Sequence, residues 1–414
     1  MKKISNLRKS INYTFNNGLA DSAIKAFTSG NLVTAFALAL GANSIIIGLL
    51  QSVQPLANFV HIVVAYFIEK GANLKKISFW CSLISRPFWL ITGCVAFFAD
   101  STIALYIFCI SYFLAYFIAT ATGGAFWPWI KELVPHKIMN NFLAFRIKYI
   151  LIVRIICGLF VSGLLYLVQK YYPQYSIYSY TFLFLIAFLL GLYATYTLTK
   201  IDNKPVKIEK NKNFALKMWD CLKNRSFQSL LIGLGSIQFS INFITPFLMV
   251  FMMKKLEISV SMALLITTFS QFIDAYSLKW WNKKSKNNTS TAPLKLALIF
   301  YIIVATCFIA LNYVNNDYAI YIILGIAYTF LGLASAGLNL ATSDIAIIYI
   351  PHKMSSIYIS INNSFRFLCA ASGPICAGLL LTFLENNWTS YFIISIIVII
   401  ISVCMIKMIK PVKE

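Results

Sequence analysis

Asp21 and Lys25 stand four residues apart in a stretch with little other charge, and Arg86, Arg154, Asp274 and Arg366 each interrupt a similar stretch. Four residues is about one helical turn, so Asp21 and Lys25 share a face and can pair, either as a structural ion pair or as part of a site. Arginine offers a rigid fork of donors that suits a carboxylate or a phosphate, and it keeps its charge when partly buried. The chemistry on offer is recognition of charge. Carboxylates in apolar surroundings can also take up protons, a second role open to Asp21 and Asp274. Covalent catalysis finds no support. The nine cysteines contain no C-x-x-C pair, the three histidines are scattered, and no G-x-x-x-x-G-K-[S/T] loop is present. The chain therefore reads as a non-enzyme with no metal centre and no cofactor.

The elements that position these residues are set by long apolar runs. Hydrophobic residues make up 59% of the chain and charged residues 12%, with a mean hydropathy of +0.76. No soluble core needs that composition. Runs long enough to cross a bilayer recur about every thirty residues, and the pattern predicts helices over 18–40, 45–68, 77–98, 101–126, 143–168 and 178–198. A second set follows over 228–252, 260–281, 294–313, 318–343, 358–383 and 389–409. The basic N-terminus leads into a run too long, and too charged at Asp21 and Lys25, for a cleaved signal peptide, so it is expected as a retained first helix.

A formal charge of +22 would suggest nucleic acid in a soluble protein, but here most of it sits in the connections. Lys2, Lys3, Arg8, Lys9, Lys70, Lys75, Lys76, Lys131, Lys137, the central loop, Lys279, Lys283, Lys284, Lys286, Lys353, Lys407, Lys410 and Lys413 fall in one set of connections. The other set holds Lys170, Lys254 and Lys255. The positive-inside rule then places both termini and the central loop in the cytoplasm, with an even number of spans between. Residues 200–225, rich in lysine, divide the chain into 1–199 and 226–414. Richness in Ile, Asn and Lys points to AT-rich coding and a bacterial inner membrane.

The two halves read alike after their fourth helices. Glu132-Leu133-Val134-Pro135-His136-Lys137 matches Ile348-Tyr349-Ile350-Pro351-His352-Lys353, and Pro351 follows Pro135 by 216 residues. Leu40 and Leu256 keep the same offset, and Ser162-Gly163-Leu164-Leu165 resembles Ala377-Gly378-Leu379-Leu380 at 215. Halves in the same orientation require an even number of spans in each, so parallel six-helix repeats fit. With Glu69-Lys70-Gly71 and Lys75-Lys76 between the second and third helices, the chain resembles the major facilitator superfamily of secondary transporters over nearly its whole length. That loop is similar to the family's acid-base-glycine landmark, with Glu69 for the usual Asp, Lys70 for Arg, and Gly71 one residue early. Leu133-Val134-Pro135, with Arg146 a few turns on, is similar to the family's fourth-to-fifth connection. The resemblance implies an all-α polytopic membrane protein of twelve transmembrane helices in two bundles, rocking about a central site. It also implies a gating role for Glu69, Lys70, Gly71, Lys75, Lys76 and Arg146.

The intramembrane charges then suggest a substrate. Lys25 lies roughly 10 Å into its expected helix, and Arg86, Arg154 and Arg366 roughly 12–16 Å into theirs, at about 1.5 Å per residue. Four cations against Asp21 and Asp274 leave excess positive charge, which an anionic substrate would balance; alternatively the arginines cap helices, pair with the acids or snorkel to the interface. Arg154 is the strongest of them, because the family's fifth and eleventh helices line its cavity. Gln238 and Asn242 add amide handles, as do Asn17, Gln51, Gln54, Asn58 and Gln271, although such amides also join helices. Arg146 and Lys148 are expected near headgroups, and Trp127, Trp129, Trp280 and Trp281 in an aromatic belt. The reading is uptake of a small anionic or zwitterionic metabolite, with protons as a coupling partner through Asp21 or Asp274. Export of a metabolite, siderophore or drug, and a sensor that keeps a transporter fold, stay open beside it.

Overall fold

In a bilayer each backbone N–H and C=O must bond within its own segment, and these apolar runs meet that demand as helices. The computed structural model describes residues 2–28, 30–98, 102–203, 214–287, 291–350 and 355–409. Fifteen α-helices account for most of them: α1 (Lys2–Thr28), α2 (Asn31–Ala39), α3 (Ser44–Ala57), α4 (Val60–Glu69), α5 (Leu74–Cys94), α6 (Thr102–Leu133), α7 (His136–Tyr171) and α8 (Tyr178–Lys200). After these come α9 (Phe214–Lys223), α10 (Arg225–Lys254), α11 (Val260–Asn287), α12 (Ala292–Leu311), α13 (Asp317–Tyr349), α14 (Ser355–Phe383) and α15 (Trp388–Ile406). Five helices start at asparagine caps, Asn43, Asn73, Asn224, Asn316 and Asn387, whose side-chain oxygens accept the first free backbone N–H groups. Residues 204–213 of the basic segment, Pro351, His352, Lys353, Lys410 and Lys413 lie outside the described residues.

Ten spans among the described residues are long and apolar enough to cross a membrane, one of them built from α3 and α4. The chain is a multi-pass membrane protein. The two expected spans that miss this measure are 18–40 and 260–281, and these carry Asp21, Lys25 and Asp274. A helix bearing charge is tolerated at membrane depth when its polar face meets protein or water.

Several helices differ from expectation. The first begins at Lys2 rather than 18 and ends at Thr28, before Gly30, whose φ of 62° opens the left-handed turn into α2. The second is interrupted between Ala57 and Val60, just after Pro55 removes a ladder hydrogen bond. Others run past the expected end: α6 reaches Leu133 because Lys131 and Glu132 favour helix, and α13 reaches Tyr349 through the further apolar run Ile345–Tyr349.

The chain packs as two units. The first comprises Met1–Ala42, Ala57–Lys210 and Val260–Leu264, and the second Asn43–Leu56, Asn211–Ser259 and Leu265–Glu414. Inside the first, α1 and α7 run parallel, with Gly18 beneath Arg146 and the Ser22 hydroxyl donating to the Ile150 carbonyl at 3.0 Å. Helices α5 and α8 run antiparallel: Thr181 donates to the Gly93 carbonyl at 2.7 Å, Ser82 and Thr195 share a hydrogen bond of 2.7 Å, and Lys75 reaches the carbonyls of Thr199 and Ile201. An aromatic core of Phe36, Trp89, Phe108, Tyr112, Tyr180 and Phe184 fills the far end.

In the second unit, glycines set how closely helices approach. A Cβ on Gly373 would stand 2.7 Å from the Phe239 carbonyl oxygen of α10, and one on Gly378 2.5 Å from the Ser44 carbonyl oxygen of α3. Gly373 and Pro374 lie inside one continuous helix, α14, and Gly373 serves this close packing. Gly332 and Gly337 of α13 do the same for Ser270 and Trp281 of α11. Lipid-facing character shows on the outside, where Phe98, Ile103, Ile110, Ile322 and Phe383 are exposed. Of the four tryptophans expected in an interfacial belt, Trp127 and Trp280 are exposed. Trp129 and Trp281 are instead buried, donating to the carbonyls of Asp202 and Leu333, because an indole N–H inside a bundle needs an acceptor.

Two glycine substitutions of identical chemistry have opposite expected signs. Gly378→Ala drives a methyl against fixed backbone and is expected to cost about 1–3 kcal/mol. Gly163→Ala meets nothing within 4 Å and is expected to be neutral or to stabilise by up to about 1 kcal/mol through helix propensity. Thermal unfolding of the two variants in detergent measures both.

Candidate functional site

The first unit gathers its charges around α1. Asp21 and Lys25 form an ion pair at 2.9 Å, and their side chains are 46% and 55% exposed. A charged pair this open faces water rather than lipid. Lys25 lies in the last turn of α1, where an ammonium complements the negative end of the helix dipole. Asn17, one turn before Asp21, donates to the Ala194 carbonyl at 2.9 Å and to Thr197 at 3.1 Å, fixing this face of α1 against α8.

Two arginines converge on Asp21 from other helices. Arg86 of α5 is 5% exposed; its stem lies on Gly191 of α8, and its terminal nitrogen donates to Ser82 at 2.9 Å. Arg146 of α7 is 7% exposed, lies on Gly18 of α1, and its guanidinium sits 4.7 Å from the Trp127 ring and 5.6 Å from that of Phe126. Any side chain at Gly18 or Gly191 would collide with its arginine, so each glycine is a shelf that admits one guanidinium. Both positive charges act on Asp21. The Nε–H groups of Arg86 and Arg146 have no hydrogen-bond partner although both are buried. Arg154, two turns beyond Arg146 on the same face of α7, is exposed, and its charge acts on Lys25, as does the phenol of Tyr116 from α6. The structure thus brings together Asp21, Lys25, Arg86, Arg146 and Arg154.

Arg146 corrects the expectation of headgroup contact. The helix that carries it begins at His136, and its face turns toward α1, so aromatic rings and a glycine enclose the side chain. The other gating residues hold more local posts. Lys70 lies 4.5 Å from the Tyr66 ring, Gly71 adopts a φ of 85° that suits glycine, and Lys76 contributes its backbone N–H to the Asn73 cap. Lys75 places its ammonium on the C-terminal carbonyls of α8, a charge-assisted cap. The side chain of Glu69 lies outside the described residues.

The second unit holds a sparser set. Asp274 of α11 accepts a hydrogen bond from Ser335 of α13 at 3.0 Å, and its charge acts on the buried Tyr301 of α12. Arg366 of α14 donates to Thr342 of α13 at 3.2 Å, with its Nε unpartnered. One turn earlier, Asn362 is fully buried and neither of its amide atoms has a partner. Its spacing of four from Arg366 was the signal that could have found it. Asn242 donates to the Gln238 carbonyl at 2.8 Å, so that amide is held on its own helix, α10. No cluster of metal-ligand residues occurs among the described residues.

No protein-family model matches the chain, and no curated protein matches it. Solved structures do. A mutant form of the nucleoside transporter NupG aligns with a TM-score of 0.76 at 13% identity, covering 97% of this chain and 100% of that one. A bacterial homologue of the iron transporter ferroportin, inward-facing, gives 0.71 at 11% identity over 98% of each chain. The D-xylose-proton symporter gives 0.68 at 14%, over 97% and 98%. The chain has the fold of the major facilitator transporters.

Because the Asp21–Lys25 pair is half exposed, its own contribution to stability is small. A double-mutant cycle with Asp21→Asn and Lys25→Met, read by thermal unfolding, is expected to return a coupling of about 0.2–1 kcal/mol. A value well above that range would mean that the pair is a structural clamp rather than an open charged surface.

Proposed function

We propose that this chain, folded as a major facilitator transporter, is a secondary active transporter moving a small anionic or zwitterionic metabolite inward across a bacterial cytoplasmic membrane by alternating access. Its termini lie in the cytoplasm, in keeping with the lysine-rich connections. The observation that carries the reading is the charge balance around α1 among the described residues: Lys25, Arg86, Arg146 and Arg154 gathered about the carboxylate of Asp21. A cation at the centre of a membrane helix costs about 2.5–3.5 kcal/mol on insertion scales, which applies to Arg86 midway along its span, while Arg146, nearer the end of its span, costs less. Even one such uncompensated charge is a sizeable share of a domain's stability. Asp21 offsets part of this cost, and a bound anion supplies the rest. Structural ion pairing alone would need as many acids as bases.

Proton coupling belongs to Asp274 in this reading. Asp21 is already engaged by Lys25 and flanked by two arginines, and the Asp274 carboxylate, bonded by Ser335 and acting on Tyr301, is the acid of the second unit's polar set. Gating is assigned to the loop of Glu69, Lys70, Gly71, Lys75 and Lys76, and Arg366 with Gln238 and Asn242 completes the polar lining of the second unit.

Reconstitution into sealed liposomes tests this reading. The wild type is expected to exchange a labelled small organic anion across the membrane and to accumulate it under an inward proton gradient. Asp274→Asn should keep exchange but lose accumulation, and Arg154→Gln should lower both at least tenfold. Binding without any exchange would favour a sensor. Proton-driven efflux would reverse the direction.

A further inference from the structure

Within that transport reading, we propose that the site of the first unit is built for a small organic dianion, a solute with two negative charges, rather than for a zwitterion or a monoanion. The argument begins with the count of charges that act on one another. Asp21 pairs with Lys25, Arg86 and Arg146 act on Asp21, and Arg154 acts on Lys25. Four cations against one anion leave an excess of three, and a dianion brings the cluster close to balance.

The acid itself argues against a zwitterion. To bind an ammonium group, Asp21 would have to give up Lys25, which already holds it at 2.9 Å one turn away on the same helix. Among the described residues, Asp21 is the carboxylate that acts on Lys25, Arg86 and Arg146. The donors, by contrast, are unspent. Arg86 and Arg146 are each more than nine-tenths buried, and each keeps an Nε–H with no acceptor. A buried guanidinium whose Nε–H is bare carries a charge that its own surroundings only partly offset, and an anion held by the fork's charge-assisted bonds offsets it.

The two arginines come from different helices, α5 and α7, and each is held on a glycine of a third element, Gly191 of α8 or Gly18 of α1. Each guanidinium is thereby fixed in place before a ligand arrives. Two separately anchored forks suit two acidic groups, or the several oxygens of one phosphate monoester, better than a single carboxylate.

The test is ligand-dependent thermal unfolding of the purified full-length protein at constant ionic strength. The probes are propionate, succinate, citrate, glycerol phosphate, inorganic phosphate, glycine and glutamate. Succinate or glycerol phosphate is expected to bind at least tenfold more tightly than propionate, and glycine not to register. Arg86→Lys and Arg146→Lys, which keep the charge but lose the fork, should each reduce that ratio severalfold. Asp21→Asn should leave dianion binding intact or tighten it. Equal affinity for propionate and succinate, or loss of binding in Asp21→Asn with glycine bound by the wild type, would overturn the dianion assignment and leave the anion-or-zwitterion transporter standing. If no charged solute stabilises the protein and neutral or cationic ones do, both readings fall. Should an arginine variant not fold, the wild-type ratio and Asp21→Asn still decide. Succinate against glycerol phosphate separates dicarboxylate from phosphate ester.

Discussion

Charge in a medium that cannot solvate it is the constraint on which this structure turns. Most helices here avoid it by being apolar throughout, and they need little from their neighbours beyond contact. Helix α1 cannot do so. With Asn17, Asp21 and Lys25 on it, α1 is stable at membrane depth when one side meets α7 and α8 and the other meets water. Both conditions are met: Asn17 and Ser22 bond carbonyls and a hydroxyl of those two helices, while Asp21 and Lys25 remain open. The break after Thr28 then follows, since a helix carrying an ammonium in its last turn has its carbonyl end compensated there, and Gly30 supplies the turn.

Holding such helices together falls to close packing, because lipid tails are as apolar as leucine and burial gives little driving force within the bilayer. The glycines show two uses of the same space. At Gly373 and Gly378 the missing Cβ lets backbones touch, which strengthens dispersion contact. At Gly18 and Gly191 it admits a guanidinium. The first use makes a bundle, and the second makes a site inside it. Hydroxyl groups follow a matching division: most Ser and Thr side chains return to the carbonyl three or four residues back, while Ser82 and Thr195 bond across helices beneath Arg86.

How much of this could be read from the chain depends on the scale of the signal. Apolar runs of twenty residues made the spans legible, because hydropathy summed over a whole bilayer crossing overwhelms local exceptions. The pairing of Asp21 with Lys25 was legible too, since an offset of four within one helix needs no tertiary knowledge. Arg146 was not. Its distance along the chain suggested a headgroup position, and only the parallel register of α1 and α7 turns it inward onto Gly18. Trp129 and Trp281 misled in the same way, since depth alone does not say which side of a helix faces lipid. The end of α6 was missed because Lys131 and Glu132, which favour helix, carried it past the apolar run. Asn362 escaped attention because an asparagine in a helix reads as ordinary glue until its neighbours are known.

The similar loops of the two halves set that asparagine beside Arg146. Arg146 follows Pro135 by eleven residues, and Asn362 follows Pro351 by eleven, so each stands at the same distance along the chain from its Pro-His-Lys loop. Both are buried, and both keep polar atoms without a partner. An unsatisfied buried polar group costs about 1–3 kcal/mol, so each of these side chains is costly to hold without a partner. One copy holds a charge and the other a neutral amide able to both donate and accept. Each unit keeps its own polar set: in the first, Lys25, Arg86 and Arg146 act with Asp21 and Arg154 acts on Lys25, and in the second Arg366 donates to Thr342 while Asp274 accepts from Ser335.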